Sequence, residues 1–336
     1  MEQNSLLNKK KFYISMLIIA LVSFVIILAC LCVGRYRISI LELIDVLLAG
    51  ETNTTAYNIL WHIRIPRVCI SYVIGVALSV SGTVYQSFFN NRLVSPGLLG
   101  VEAGACVGAG ICILLGAGAF VTSLTSFGFG IVAAVLAVII QKIAKSDSIT
   151  TLVLAGVVVS ALMNACIGLI KYIADGENKL ASITFWMLGD LSGAEMEDLF
   201  LLLPVVIVCT TFLIAIRWRL NALSLGEKEA MALGINYKVE TAFVVAAATL
   251  LTSISVCISG TIGWVGLIIP NVARGLFGND NKQTIPSSIL LGGVFMVIVD
   301  TLARTLSPSE IPLGIITGFL GALTYVVILA RKGASA

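Results

Sequence analysis

Charge is what this sequence has least of. Only 12% of its 336 residues are Asp, Glu, Lys or Arg, well below the ~25% of a soluble domain. With 58% hydrophobic residues, that deficit excludes a soluble monomer and makes the chain an integral membrane protein. Histidine is nearly absent: His62 is the only one, which leaves little for His-based catalysis or metal binding. No G-x-x-x-x-G-K-S/T stretch occurs, so there is no P-loop to cradle ATP. H-E-x-x-H, G-x-S-x-G and paired carboxylates are missing as well. None of the eight cysteines forms a C-x-x-C pair, and they read as small buried hydrophobes, not as a disulfide framework or metal site. The chain is therefore not expected to be an enzyme or to hold a cofactor or metal, and no nucleic-acid partner is expected. Powered transport would need a gradient or another polypeptide.

What the sequence does have is long runs of Leu, Ile, Val and Ala. Such runs argue for helices rather than the alternating strands of a membrane barrel. Ten spans are predicted in one domain, 1–336: about 12–33, 68–88, 97–117, 120–140, 151–173, 199–216, 241–258, 262–277, 285–306 and 313–330. The first follows Lys9, Lys10 and Lys11, and Ile27-Leu-Ala-Cys30 resembles a lipoprotein cleavage site. Its length and the many spans after it favour an uncleaved helix. Between the first two spans, Ile38, Leu41, Ile44, Leu47 and Leu48 recur at helical spacing, which predicts a surface helix within Arg35–Ile65. Pro66 is placed to open the second span. The third span is rich in Gly and Ala, which lets helices approach closely and suggests a central position.

Ten spans put both termini on one side. Two-thirds of the 21 Lys and Arg residues fall on that side, so both termini are predicted to be cytoplasmic in a multi-pass protein surrounded by lipid. The outer side carries acids, among them Glu42, Asp45, Glu51, Glu177 and Glu310.

One polar island interrupts the later spans, Ser224-Leu-Gly-Glu-Lys-Glu-Ala-Met-Ala-Leu-Gly234. Ser224 and Glu227 have capping-box spacing, and Gly234 sits where a left-handed cap would end a helix. The spacing predicts a helix over Leu225–Leu233, too short to span a bilayer. It is either a plain connection or a docking element for a soluble partner. Elsewhere, Glu102, Arg274 and Asp300 are ionisable groups within spans, with Arg274 expected to snorkel towards the Gly278 turn and Asp300 spaced to pair with Arg304. Arg64, Arg67 and Arg304 fall at outer span ends, either as helix-end charges facing water or as a basic rim for an acidic partner. Ser81-Gly-Thr83 and Ser259-Gly-Thr261 each precede a Gly/Pro-interrupted segment, the pattern of an inverted transporter repeat or of chance similarity.

Eight stretches fall in a recognisable order: Arg64-Ile-Pro-Arg67, Ala77-Leu-Ser-Val-Ser-Gly82, Asn91-Arg-Leu-Val-Ser-Pro-Gly-Leu-Leu-Gly100, Trp186-Met-Leu-Gly189, Leu225-Gly-Glu-Lys-Glu-Ala230 with Leu233-Gly234, Gly263-Trp-Val-Gly-Leu-Ile-Ile-Pro270, Asp300-Thr-Leu-Ala-Arg304 and Ile311-Pro-Leu-Gly-Ile-Ile-Thr317. Together they resemble the FecCD-type permeases of ABC importers, which take up iron–siderophores, haem and vitamin B12. The resemblance implies an all-α type II importer permease fold with ten transmembrane helices, two subunits forming one pathway, and location in a bacterial plasma membrane. It implies that ATP sits on a separate cytoplasmic ATPase docked on Ser224, Leu225, Gly226, Glu227, Ala230, Leu233 and Gly234. Within that stretch Leu225, Ala230 and Leu233 are expected to touch the ATPase. Arg64, Arg67 and Arg304 would face acidic residues of an extracytoplasmic binding protein. An iron–siderophore is the expected substrate, with haem or vitamin B12 as alternatives and a gradient-driven carrier as a further one. The chain departs from the family pattern at Glu102, at Asn271, where His is usual, and at Gly321-Ala-Leu323, which lacks a Pro.

Overall fold

The computed structural model describes residues 2–48, 54–146, 148–175 and 178–333, with side chains described from 10 to 327; Glu51, Glu177 and the last three residues of the predicted domain lie outside the described residues. The described residues form helices and no strand: α1 (Glu2–Cys32), α2 (Ile40–Leu48), α3 (Thr55–Ile59), α4 (Ile65–Phe88), α5 (Val101–Leu115), α6 (Ala119–Ile143), α7 (Ile149–Ile173), α8 (Lys179–Leu188), α9 (Met196–Ala215), α10 (Arg217–Leu223), α11 (Glu227–Ala232), α12 (Tyr237–Ser259), α13 (Val265–Phe277), α14 (Asn281–Leu306) and α15 (Leu313–Gly333).

Seven of these stretches are long and apolar enough to cross a membrane: 10–32, 55–88, 119–143, 149–173, 196–215, 237–259 and 281–306. The other three predicted spans appear as shorter apolar helices, 101–115, 265–277 and 313–327. Glycine sets two of those lengths. Gly100 and Gly116, both at positive φ, bound α5, and Gly278 at φ +85° ends α13. A helix of 15 residues reaches only ~22 Å, less than the ~30 Å hydrocarbon core. Its crossing would need the turns at its ends, which membrane depth tolerates only where protein covers them.

The predicted surface helix is shorter than 35–65. It is α2, opened by a reciprocal capping box in which Ser39 N donates to Glu42 Oε2 (2.8 Å) and Glu42 N to Ser39 Oγ (3.2 Å). Leu43 and Val46 face the protein, while Leu41, Ile44 and Leu48 are exposed. Pro66 sits in the first turn of α4, as placed, but α4 does not start from a break in the chain. α3 runs through a π-helical turn, Leu60–Arg64, into α4, and Ile65 N–H donates to Leu60 O, five residues back. Pro66 has no N–H to continue the ordinary ladder, a usual cause of such a widened turn.

α4 is the centre of the bundle, a place the glycine content assigned to α5. Its membrane segment is the most enclosed of the seven. A Cβ on Gly75 would lie 2.2 Å from Gly292 O of α14, and one on Gly82 would lie 1.9 Å from Gly266 O of α13. Ser79 Oγ donates to Ser288 O and Thr83 Oγ1 to Ser288 Oγ, both at 2.8 Å. On its other side Ser81 Oγ donates to Ala248 O of α12 (2.9 Å). Small residues and serine hydroxyls are the packing devices of helices that have no hydrophobic driving force between them. α5 uses the same device against α6, with Gly104 and Gly108 close to the carbonyls of Phe129 and Thr125.

Candidate functional site

The polar island folds as a compact unit between α9 and α12, but not as its spacing predicted. The capping box of Ser224 and Glu227 does not form. Ser224 is the C-cap of α10: its N–H donates to Leu220 O (3.1 Å) and its hydroxyl to Asn221 O (2.7 Å). With that N–H already used, Glu227 has nothing to reach back to. Gly226, at φ +113° and ψ +171°, makes the bend, and α11 starts at Glu227. Only glycine adopts that conformation cheaply. The other end follows expectation: Gly234 is left-handed (φ +78°), and Ile235 N–H returns to Ala230 O (3.1 Å), the Schellman pattern.

This geometry sorts the side chains. Ala230, expected to face a partner, is wholly buried, whereas Leu225, Leu233 and Met231 are 63%, 59% and 54% exposed. Met231 is the apolar residue that the sequence reading passed over. Its signal was its place among Glu227, Lys228 and Glu229. Trp218 of α10 is exposed nearby in sequence, with the Arg219 guanidinium over its ring and Arg219 paired to Glu240 at the start of α12. Met231 on the six-residue α11 and Leu225 and Leu233 flanking it are thus three exposed apolar side chains beside the charges of Glu227, Lys228 and Glu229.

Asn221 of α10 joins this unit to the bundle. Its Nδ2 donates to Asp280 Oδ1 (2.7 Å), and its Oδ1 accepts from Asn281 N (3.0 Å). Asp280 caps α14 by accepting from Lys282 N (2.9 Å), and Asn281 Nδ2 donates to Ser87 Oγ in the last turn of α4 (2.6 Å). None of these polar partners stood out in the sequence, because each lies about 60 to 190 positions from the next. Beside them Arg274 is buried instead of snorkelling: it donates to Gln86 Oε1 and to Thr83 O (3.2 Å). Asn271 Nδ2 donates to Leu267 O (2.8 Å) and Arg92 O (3.1 Å). Glu102 lies beside the Pro96 turn, with its carboxyl over Gly97.

At the opposite end, Arg64, Arg67 and Arg304 come together, but not as an exposed rim. All three are at least nine-tenths buried. Arg64 donates to the carbonyls of Leu31 (2.5 Å), Cys32 (3.1 Å) and Tyr36, and Arg304 donates to Cys30 O. They thus cap the C-terminus of α1, where carbonyls lack helical partners and the helix dipole is negative. Arg67 pairs with Asp300 (Nε to Oδ1, 2.8 Å) and with Glu310 (Nη1 to Oε2, 2.9 Å), whereas Arg304 Nε is 3.9 Å from Asp300 Oδ2. The predicted Asp300–Arg304 pair is therefore the looser of the two. Arg35 and Arg37 are exposed cations at this end, and Arg35 donates to Ser307 O (3.2 Å) and Pro308 O and lies 4.0 Å from Glu310.

The loops here are stitched to one another. Asp190 N donates to Ser259 O (2.9 Å), Leu313 N to Gly189 O (2.9 Å), and Ile311 N to Ala303 O (3.1 Å). Over this floor opens a cleft of about 590 Å³, lined in part by Arg35, Trp186, Asp190, Ser192 and Glu310.

Comparison with known proteins agrees with this architecture. The model of the FecCD transport family matches residues 19–331. A molybdate import system permease protein, MolB of Haemophilus influenzae, is 35% identical over 305 residues, 89% of this chain and 90% of that protein. The Helicobacter pylori protein named "Probable iron chelatin transport system permease protein" is 36% identical over 287 residues, 84% of this chain and 86% of its own. Among solved structures, an inward-facing ABC transporter of metal-chelate type superposes with a TM-score of 0.85 at 31% identity, covering 96% of this chain and 99% of that one. The chain belongs to the FecCD transport family.

Proposed function

We propose that this chain is the membrane-spanning permease subunit of an ATP-driven importer, and that its cargo is an iron chelate. In this reading the ten apolar helices all cross the plasma membrane of a bacterium, with an inverted internal repeat, and both termini and α10–α11 are cytoplasmic. Two permease subunits enclose the pathway. A separate ATPase docks on α11, and an extracytoplasmic binding protein delivers cargo at the cleft end. The observation that carries the reading is the exposed trio Leu225, Met231 and Leu233 on a turn fixed by Gly226 and Gly234. Such a patch is costly unless a partner covers it, and the chain has no ATP-binding loop of its own.

The mechanism needs no bond made or broken by this chain. ATP-driven closure of two ATPase subunits would displace α11, and the helices joined to it would open the pathway towards the cytoplasm. At the cleft end Arg64, Arg67 and Arg304 hold the docking face in shape, while Arg35 and Arg37 offer charge to acidic groups of the binding protein. Support for an iron chelate comes from the Helicobacter pylori relative and the metal-chelate type structure. Molybdate is the second reading, favoured by the Haemophilus influenzae relative. Haem and vitamin B12 follow from the family resemblance.

The test is uptake into proteoliposomes holding this permease, its ATPase and its binding protein, with ATP and no ion gradient. A ferric chelate should accumulate in preference to haemin, cobalamin and molybdate. Preference for one of those overturns the cargo, and uptake that ignores ATP but follows a proton or sodium gradient overturns the ATP-driven reading. Leu225→Asp combined with Leu233→Asp should abolish co-purification of the ATPase; retained binding removes α11 as its dock.

A further inference from the structure

We propose that Asn221 is a positioning residue: the joint through which movement of the docking unit enters the α4–α14 pair. This rests on the reading of α11 as the ATPase dock. Asn221 is the one side chain of α10 seen to bond both residues that open α14, through Nδ2 to Asp280 and through Oδ1 to Asn281 N. Both ends of the amide are used, so the side chain cannot rotate without losing a bond. Asn281 is 1% exposed and carries the contact on to Ser87 of α4. Two helix termini thus meet the body of α10 at one polar junction: the N-terminus of α14 and the C-terminus of α4.

What lies beyond the junction gives it a use. α4 and α14 are fastened along their whole shared length. From Asn281–Ser87 the seam runs through Thr83–Ser288, Ser79–Ser288 and Gly75–Gly292 to Arg67–Asp300 at the far end. On α14 the seam runs from Asn281 to Asp300, roughly 30 Å at helical rise. Backbones this close, with hydroxyls bonded across them, slide little past one another, because packed interiors are bistable and not continuously deformable. A displacement delivered at Asn221 therefore arrives at Arg67 and Glu310, on the face where the cleft lies. The same joint works in reverse, passing occupancy of that face to the ATPase.

The alternative is that Asn221 merely holds α10 in shape. The two roles separate in the coupling ratio. The complete transporter, with ATPase and binding protein, is reconstituted, and ATP hydrolysis and cargo uptake are measured in the same vesicles. Asn221→Asp sets a carboxylate against Asp280 and removes the amide donor. It should leave co-purification of the ATPase and basal hydrolysis unchanged and lower uptake per ATP about fivefold, the scale of a neighbouring-residue coupling. Stimulation of hydrolysis by loaded binding protein should fall with it. Adding Asp280→Asn restores a donor facing an acceptor, keeps a cap for Lys282 N, and should return the ratio to within about twofold of the original protein. A normal ratio in the single variant overturns the proposal. So does failure of the pair to recover, or loss of ATPase binding in the single variant. Retained ATPase binding after Leu225→Asp with Leu233→Asp would instead overturn the docking assignment, whatever Asn221 does.

Discussion

Arg67 and Asp300 stand 233 positions apart in sequence and 2.8 Å apart in the bundle, both almost completely buried. The pair ties the start of α4 to the end of α14 where neither charge has much access to water. Removing one partner of such a pair leaves the other uncompensated, at a cost of about 3–5 kcal/mol. Asp300→Ala should therefore lower the thermal midpoint of the detergent-solubilised protein by several degrees. Arg67→Met combined with Asp300→Leu should lie closer to the original protein than either single change. Additive losses in the double variant would show that the pair contributes nothing as a pair.

The glycines of α4 and α6 make a matched comparison. A Cβ on Gly82 would sit 1.9 Å from the Gly266 carbonyl, while one on Gly128 meets nothing within 4 Å. Gly82→Ala should force α13 off α4 and reduce the yield of folded protein on size-exclusion chromatography. Gly128→Ala should be neutral or stabilising by up to about 1 kcal/mol.

Gly226 and Ser224 separate the observed bend from the predicted capping box. Gly226→Ala places a side chain at φ +113°, a strain of about 1–3 kcal/mol, and should weaken ATPase co-purification. Ser224→Ala removes one hydroxyl bond but no helix N-cap, so ATPase recovery should stay near the original level. Equal damage from both substitutions would mean the capping box forms after all.

Charge reversal distinguishes the two kinds of arginine at the cleft end. Arg35→Glu with Arg37→Glu should weaken capture of the binding protein at low salt, and the difference should shrink as ionic strength rises and the Debye length falls to ~8 Å. Arg64→Met should instead lower stability at every salt concentration, because it strips the Leu31 carbonyl of its donor and leaves the Cys32 carbonyl with the longer Ile38 N–H bond (3.4 Å) alone. A salt-sensitive docking defect in Arg64→Met with unchanged stability would return that residue to the docking surface.

Where sequence reasoning succeeded and failed has physical causes. The long apolar runs were readable because burying a helix in lipid needs about twenty apolar residues, and α6, α7, α9, α12 and α14 fall where those runs lie. Charges at helix ends were readable too, since Arg64, Arg67 and Arg304 do sit together. Their direction was not. The partners of Arg64 and Arg304 are main-chain carbonyls of α1, and a carbonyl leaves no mark in sequence. Ser224 and Glu227 have the right spacing for a cap, yet the sequence offers no sign of a separate helix at α10 just before them. Nothing then showed that the Ser224 N–H was already spent. The Asn221 junction was invisible for the same reason as the Arg67 pair: its members meet only after distant helices have packed.

The capping of α1 also sets an order of assembly. Cys30 and Arg304 are separated by 274 positions, so at roughly 5–20 residues per second a ribosome needs about 14 to 55 s to bring the second after the first. Through that interval the C-terminal end of α1 stays incomplete at Cys30 O. Only 17% of its apolar segment is enclosed even in the finished protein. α1 is thus held by Arg64 early but completed only when Arg304 arrives, and a truncated chain that stops short of α14 would leave it open to membrane quality-control proteases.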